Sequence, residues 1–223
     1  MIKELTDMDE KRILIAVPSM DYVASGFAAS LAMLQKTGNC MVSFICGSLI
    51  YDARNKLAGQ ALQLEATHVL WLDSDMVFKP DTLLKLMETM DDNNADIVSG
   101  LYFRRSAPYT PVAFSHIDIF EDNSSEHTDY TGELNGIHEV DAVGFGCVLM
   151  KTEVIGEIVA EFGMLFDPIG HFGEDLSFCW RAKKIGKKIL LNTDIKCGHI
   201  GHITVNQSFF KAWQEGHPNE SNI

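Results

Sequence analysis

Two carboxylates one residue apart, Asp73 and Asp75, follow four apolar residues in Val69-Leu-Trp-Leu-Asp-Ser-Asp-Met76. So short an apolar run reads as a buried strand of a parallel sheet. Asp73-Ser74-Asp75 then falls at its carboxyl end, where open α/β sheets bind ligands. Acids this close repel each other unless a cation or hydrogen-bond donors lie between them. Hard oxygen ligands suit Mg²⁺ or Mn²⁺, with waters and a substrate phosphate completing the shell. An isolated Asp-x-Asp is more often a loop with two solvated acids; the preceding strand and the downstream partners reverse that in favour of the ligand reading.

Phe172-Gly-Glu-Asp175 opens a stretch in which Leu176, Cys179, Ala182 and Ile185 share one helix face, and Lys183, Lys184 and Gly186 close it. Capping accounts for acids in the first turn and lysines in the last. A carboxylate at a helix start can also take a proton from an incoming hydroxyl, and burial under a bound acceptor raises its basicity. Glu174 and Asp175 are therefore the candidate catalytic acids. In Cys197-Gly-His-Ile-Gly-His202 the glycines allow close backbone approach, and histidine is the commonest transition-metal ligand. His199 stands ahead of His202 as a metal ligand, because Gly198 and Gly201 disfavour a helical pairing of the two; a purely structural histidine is the alternative.

These residues need a scaffold, and alternating short apolar runs and amphipathic stretches supply one. Strands are expected at Ile13 to Val17, ending in Pro18-Ser19, at Met41 to Cys46, at His68 to Leu72 and at Ile97 to Phe103. Helices are expected at Ala24 to Gln35, closed by Gly38, at Ala53 to Ala66, and after Lys79-Pro80-Asp81 with Leu83, Leu84, Leu86, Met87 and Met90 on the apolar face. Such a β-α series predicts an α/β fold with a doubly wound, mostly parallel sheet flanked by helices. The polar stretch Asp118 to Gly136 reads as a surface hairpin or mobile loop over the site. Beyond it, Ile137 to Val143 is expected to be extended, Gly144-Phe145-Gly146 to be a close-approach turn, Val148 to Met150 to continue the sheet, and Thr152 to Phe162 to be helical.

The chain has 223 residues, 46% hydrophobic and 22% charged, which excludes disordered and fibrous classes and suits one domain. No apolar run approaches the roughly 18 to 20 residues of a membrane span, and the acidic start (Glu4, Asp7, Asp9, Glu10) is no secretory signal, so a cytoplasmic protein is expected. Cys40, Cys46, Cys147, Cys179 and Cys197 show no paired spacing and read as reduced thiols, mostly in the core. A net charge of −13 without a basic stripe argues against nucleic-acid binding. A small anionic ligand would need local compensation from a metal or from Arg54, Lys56, Arg104 and Arg105.

Taken together, these residues resemble the GT-A glycosyltransferases, particularly family 2-like enzymes of bacteria and phages. The resemblance spans Ile13 to His202 through Val17-Pro18-Ser19, Ala53-Arg54-Asn55, Asp73-Ser74-Asp75, Gly144-Phe145-Gly146, Gly173-Glu174-Asp175 and His199. It implies a single GT-A domain over 1–223, with a nucleotide-binding half at 11–105, an acceptor and catalytic half at 106–202, and a C-terminal extension at 203–223. It further implies nucleotide contacts from Pro18, Ser19, Arg54, Asn55, Asp73, Ser74 and Asp75, and Mn²⁺ or Mg²⁺ held by Asp73, Asp75 and His199. Asp175 would be the general base, and Gly144, Phe145, Gly146 and Arg104 would meet donor or acceptor sugar. The implied partners are a nucleotide-sugar, UDP ahead of GDP, and an acceptor the sequence does not identify; self-association is left open. Two other classes compete. A nucleotidyltransferase would carry a Gly-rich basic loop after the first strand, which Met20-Asp-Tyr-Val-Ala-Ser-Gly26 is not. A non-catalytic binding domain has no need of both carboxylate sets and His199.

Overall fold

A computed structural model describes residues 11–37, 39–201, 207 and 211. Gly38, His202, the acidic start and the rest of the 203–223 extension lie outside the described residues. The elements run β1 (Arg12–Ser19), α1 (Ser25–Met33), β2 (Asn39–Cys46), α2 (Ile50–Gln63), β3 (His68–Leu72), β4 (Met76–Val77), α3 (Thr82–Asn93), β5 (Ile97–Leu101), β6 (Ala113–Ile119), β7 (Ser125–Asp129), β8 (Ile137–Glu139), β9 (Ala142–Val143), β10 (Cys147–Lys151), α4 (Glu153–Phe162), α5 (Glu174–Lys184), β11 (Ile189–Lys196) and β12 (Gly198–His199).

A seven-stranded sheet in the order β2-β1-β3-β10-β5-β11-β8 forms the frame. β2, β1, β3, β5 and β11 share one direction, while β10 and β8 run against it. The sheet is thus mixed and mostly parallel, and β10 interrupts the parallel series at its centre. The apolar run Val148 to Met150 marks a strand buried on both faces, but burial carries no information about direction. Alternation along the strands builds two cores. Leu14, Ala16, Val69 and Trp71 face α2, α4 and α5, whereas Ile13, Ile15, Leu70 and Leu72 face α1 and α3.

The chain crosses from β1 through α1 to β2 on one side, then through α2 back to β3 on the other. The carboxyl ends of β1 and β3 therefore flank the switch point at which doubly wound sheets bind ligands. A separate sheet, β7-β6-β9, packs its Phe114, Ile117 and Val143 into the α5 core. The Asp118 to Gly136 stretch is mostly the β6–β7 hairpin and its return. It is stapled to α5 by Trp180 Nε1, which donates to Asp118 Oδ1 at 3.3 Å, and by Lys184 on the same carboxylate. All five cysteines are free: Cys147, Cys179 and Cys197 are buried, Cys40 is half-buried, and Cys46 is exposed at the end of the edge strand.

Candidate active site

A cleft of about 630 Å³ opens over the carboxyl ends of β1 and β3. Pro18, Ser19, Arg54, Asp73, Ser74, Asp75, Arg104, Glu174, Asp175 and His199 all line it. Residues from six separate segments meet there because β3 ends at Leu72 between β1 and β10, α5 begins at Glu174, and β12 folds back on β4. In that last pairing His199 lies opposite Met76 and Gly198 opposite Val77, and Ile200 N–H donates to Asp75 O at 2.8 Å. Backbone pairing thus brings His199 beside Asp75.

The acids fall into two groups. The first surrounds Arg54, which is 2% exposed. Its Nη2 donates to Asp73 Oδ1 at 2.9 Å, its Nε donates to Glu174 Oε1 at 3.3 Å, and its Cζ lies 5.3 Å from the Phe145 ring centre and 5.8 Å from that of Trp71. Burial favours the neutral guanidine, but the charges of Asp73, Glu174 and Asp175 outweigh it and raise the Arg54 pKa. Nη1 is buried without a partner among the described residues. Burial raises the Asp73 carboxyl, with Asp75 adding to the rise and Arg54 opposing it. Asp175 is pushed up to about 6, by burial first and then by the neighbouring Glu174 charge, against a bond from Leu176 N–H and the charge of Arg54.

The second group is more open. Arg105 Nη1 donates to Asp75 Oδ2 at 2.7 Å, and His199 Nε2 lies 3.6 Å from the same oxygen. Burial would raise the Asp75 carboxyl, but His199 and Arg105 hold it below the ordinary range. His199 is raised, chiefly by its bond to Asp75 and then by Phe103 O, against burial. Its Nδ1 is 2.9 Å from Phe103 O. A carbonyl can only accept, so Nδ1 carries the proton there and Nε2 faces Asp75.

Among the described residues no three His, Cys, Asp or Glu side chains form a ready-made metal cage. Of the trio Asp73, Asp75 and His199, the structure pairs the last two, while Asp73 is committed to Arg54. A carboxylate and an imidazole with its far nitrogen anchored to a carbonyl fit a Mn²⁺ or Mg²⁺ ion that takes its remaining ligands from water and substrate phosphate.

Several positions differ from the sequence reading. Asn55 is turned out of the cleft: one helix step from Arg54, its Nδ2 donates to Asp167 Oδ2 at 3.2 Å and its Oδ1 accepts from Phe166 N–H at 3.0 Å. Gly144, Phe145 and Gly146 are buried behind the cleft wall. A Cβ at Gly144 would sit 2.2 Å from Tyr102 Oη and one at Gly146 would sit 2.8 Å from Tyr102 Cζ, so it is the tyrosine ring that approaches these glycines. Phe145 packs edge-on against Trp71, Phe166 and Phe178. Lys56 is not among the cleft-lining residues: it pairs with Asp52 on the surface of α2 and reaches Ser48 at the cleft edge. His202 lies outside the described residues. The sequence reading missed Tyr102, which lines the cleft, packs edge-on to His199 at 5.4 Å and accepts from Gly146 N–H. It also missed Ser48, Ile50 and Ser106 on the cleft wall. The signal for Tyr102 was its place directly after the apolar run of β5.

An α/β sheet with an acid-lined cleft at its switch point belongs to the class of folds that bind ligands at that place. The sequence model of Glycosyl transferase family 2 matches residues 35–158, and the chain belongs to that family. It is a glycosyltransferase of GT-A fold, and membership implies a nucleotide-sugar donor and an acceptor. The family commonly uses a divalent metal. Among solved structures, that titled "Crystal Structure of A197 from STIV" superposes with a TM-score of 0.59 at 17% identity, covering 87% of this chain and 97% of that one, which shows a shared fold. No curated protein sequence matches the chain. The family match ends before Glu174, Asp175 and His199, so their part in the site rests on geometry. Among the described residues no helix is long and apolar enough to cross a membrane.

Proposed function

We propose that the chain moves a sugar from a UDP-sugar, with GDP-sugars as the second choice, to an acceptor hydroxyl in a reaction that requires a divalent metal. What carries this reading is the meeting of Asp175, its carboxyl raised to about 6, and the Asp75–His199 pair in one cleft. A bound Mn²⁺ or Mg²⁺ would stabilise negative charge on the leaving diphosphate. Asp75 and His199 would hold it. Pro18 and Ser19, at the end of β1, would border the nucleoside. Arg105 is half exposed, and once Asp75 turns to the metal its guanidinium is free for a phosphate oxygen. Asp175 would take the proton of the acceptor hydroxyl as that oxygen attacks the anomeric carbon: it is ionised at neutral pH, yet more basic than an ordinary aspartate.

The test is nucleotide release from UDP-glucose, UDP-galactose, UDP-N-acetylglucosamine and GDP-mannose with and without Mn²⁺. Release from one donor that needs the metal, and is abolished in Asp75→Ala while the fold survives, supports the reading. Metal-independent release, or none from any donor, defeats it.

A further inference from the structure

Beside the cleft lies a second cavity of about 280 Å³, between the β6–β7 hairpin and the loop leading into α5. Arg104 lines both spaces. Gly173 lines the smaller one, and Glu174 and Asp175, next in sequence, line the larger. We propose that this cavity is the acceptor subsite and that it takes one neutral sugar ring, delivered to Asp175 past the bare backbone of Gly173. The proposal rests on Asp175 acting as the base.

The cavity is built before any ligand arrives. Gly170, at φ +59°, brings the α5 loop so close to the hairpin turn that a Cβ there would lie 2.6 Å from Asn123 O. With the Trp180 and Lys184 bonds to Asp118, both walls are fixed. Its volume falls just under the range of about 300–1,000 Å³ usual for small-molecule sites, which suits a ligand no larger than a single ring.

The lining matches a polyol. Phe172 is almost wholly buried and supplies an apolar face. His127 stands edge-on between Phe114, at 5.3 Å, and Phe172, at 6.2 Å. Ser125, His127 and His171 can each donate and accept, as sugar hydroxyls do. The cation of the lining, Arg104, is bound to Asp129 at 2.8 Å, so the cavity offers no uncompensated positive charge to anchor a carboxylate or phosphate. At Gly173 an added Cβ would meet Asp175 Oδ1 at 3.2 Å: a side chain here would both narrow the passage and press on the base.

Saturation-transfer NMR with the methyl glycosides of glucose, galactose, mannose and N-acetylglucosamine tests this, alongside calorimetric titration of UDP with Mn²⁺. Ring protons of at least one glycoside should receive saturation. Its affinity should fall about tenfold in His171→Ala, the loss of roughly one hydrogen bond. It should hold in His116→Ala, an exposed histidine of the same hairpin outside the cavity. No saturation of any glycoside, or equal affinity in both variants, overturns the subsite. Failure of UDP to bind the unmodified chain marks instead a failure of the donor reading, so the two are told apart.

Discussion

Asp73 and Asp75 share a motif, a cleft and nearly the same side-chain exposure, 29% and 30%, but their partners sit in different surroundings. Asp73 meets a guanidinium that is almost fully buried, stacked near two aromatic rings and shared with Glu174 from a helix start about a hundred residues on. Asp75 meets Arg105, whose side chain is 53% exposed, and His199, carried in by a two-residue strand. A buried ion pair is expensive to break, because the survivor is left charged in a poor solvent, whereas an exposed one exchanges readily with water. One acid of the motif is thus built into the frame and the other is left available to a ligand.

The largest effect should come from the chemistry next to the closed group. Asp175→Asn should lower turnover about 10²- to 10⁴-fold while UDP affinity holds; near-normal turnover at saturating acceptor would show Asp175 to be structural. The same residue sets a pH profile. The base form is lost as pH falls through about 6, so turnover at pH 5 should be about a tenth of its plateau. Stability carries the opposite sign. Because the folded carboxyl is raised above its usual 3.8, the folded state holds the proton more tightly, and stability falls as pH rises through the window up to about 6. Asp175→Asn removes that loss and should be more stable than the parent at pH 7, by on the order of 1–2 kcal/mol in urea melts, with the difference gone near pH 4.

Arg54→Ala strikes the frame itself. Leaving Asp73 and Glu174 without their counterion should cost about 3–5 kcal/mol of stability in urea unfolding, and Arg54→Lys, which keeps the charge but loses the fork, should cost less. Equal losses in the two would deny the fork any role. His199→Ala should leave the melting midpoint nearly unchanged but weaken Mn²⁺ affinity about 10- to 100-fold by calorimetry. Arg105→Ala should be the mildest for stability, within about 1 kcal/mol, since its pair with Asp75 is half exposed. A loss as large as that of Arg54→Ala would erase the contrast between the two aspartates.

The legible parts were those in which burial and position say the same thing. Val69 to Leu72 had to be a central strand, and a motif directly after it had to emerge at its carboxyl end. The centre of the sheet was not legible in the same way, because Val148 to Met150 announces burial and is silent on direction. Gly144 and Gly146 record only that a Cβ has no room; whether a sugar or the Tyr102 ring takes the space is decided by a strand forty residues away. The place of Arg54 as a buried hub was not legible, because the bonds that make it one come from Asp73 and Glu174, distant in sequence. The same holds for Asn55, whose partners Asp167 and Phe166 are more than a hundred residues on.

The two-residue pairing of β12 with β4 also sets an order of events during synthesis. Asp75 leaves the ribosome well before His199, by about 6 to 25 s at the usual 5–20 residues per second. During that interval the β1–β3 half can already collapse around its apolar strands, yet the Asp75–His199 pair does not exist. A nascent chain folded as far as α5 therefore holds Asp175 and its buried arginine but is still without the histidine, and the Asp75–His199 pair comes last in the making of the cleft.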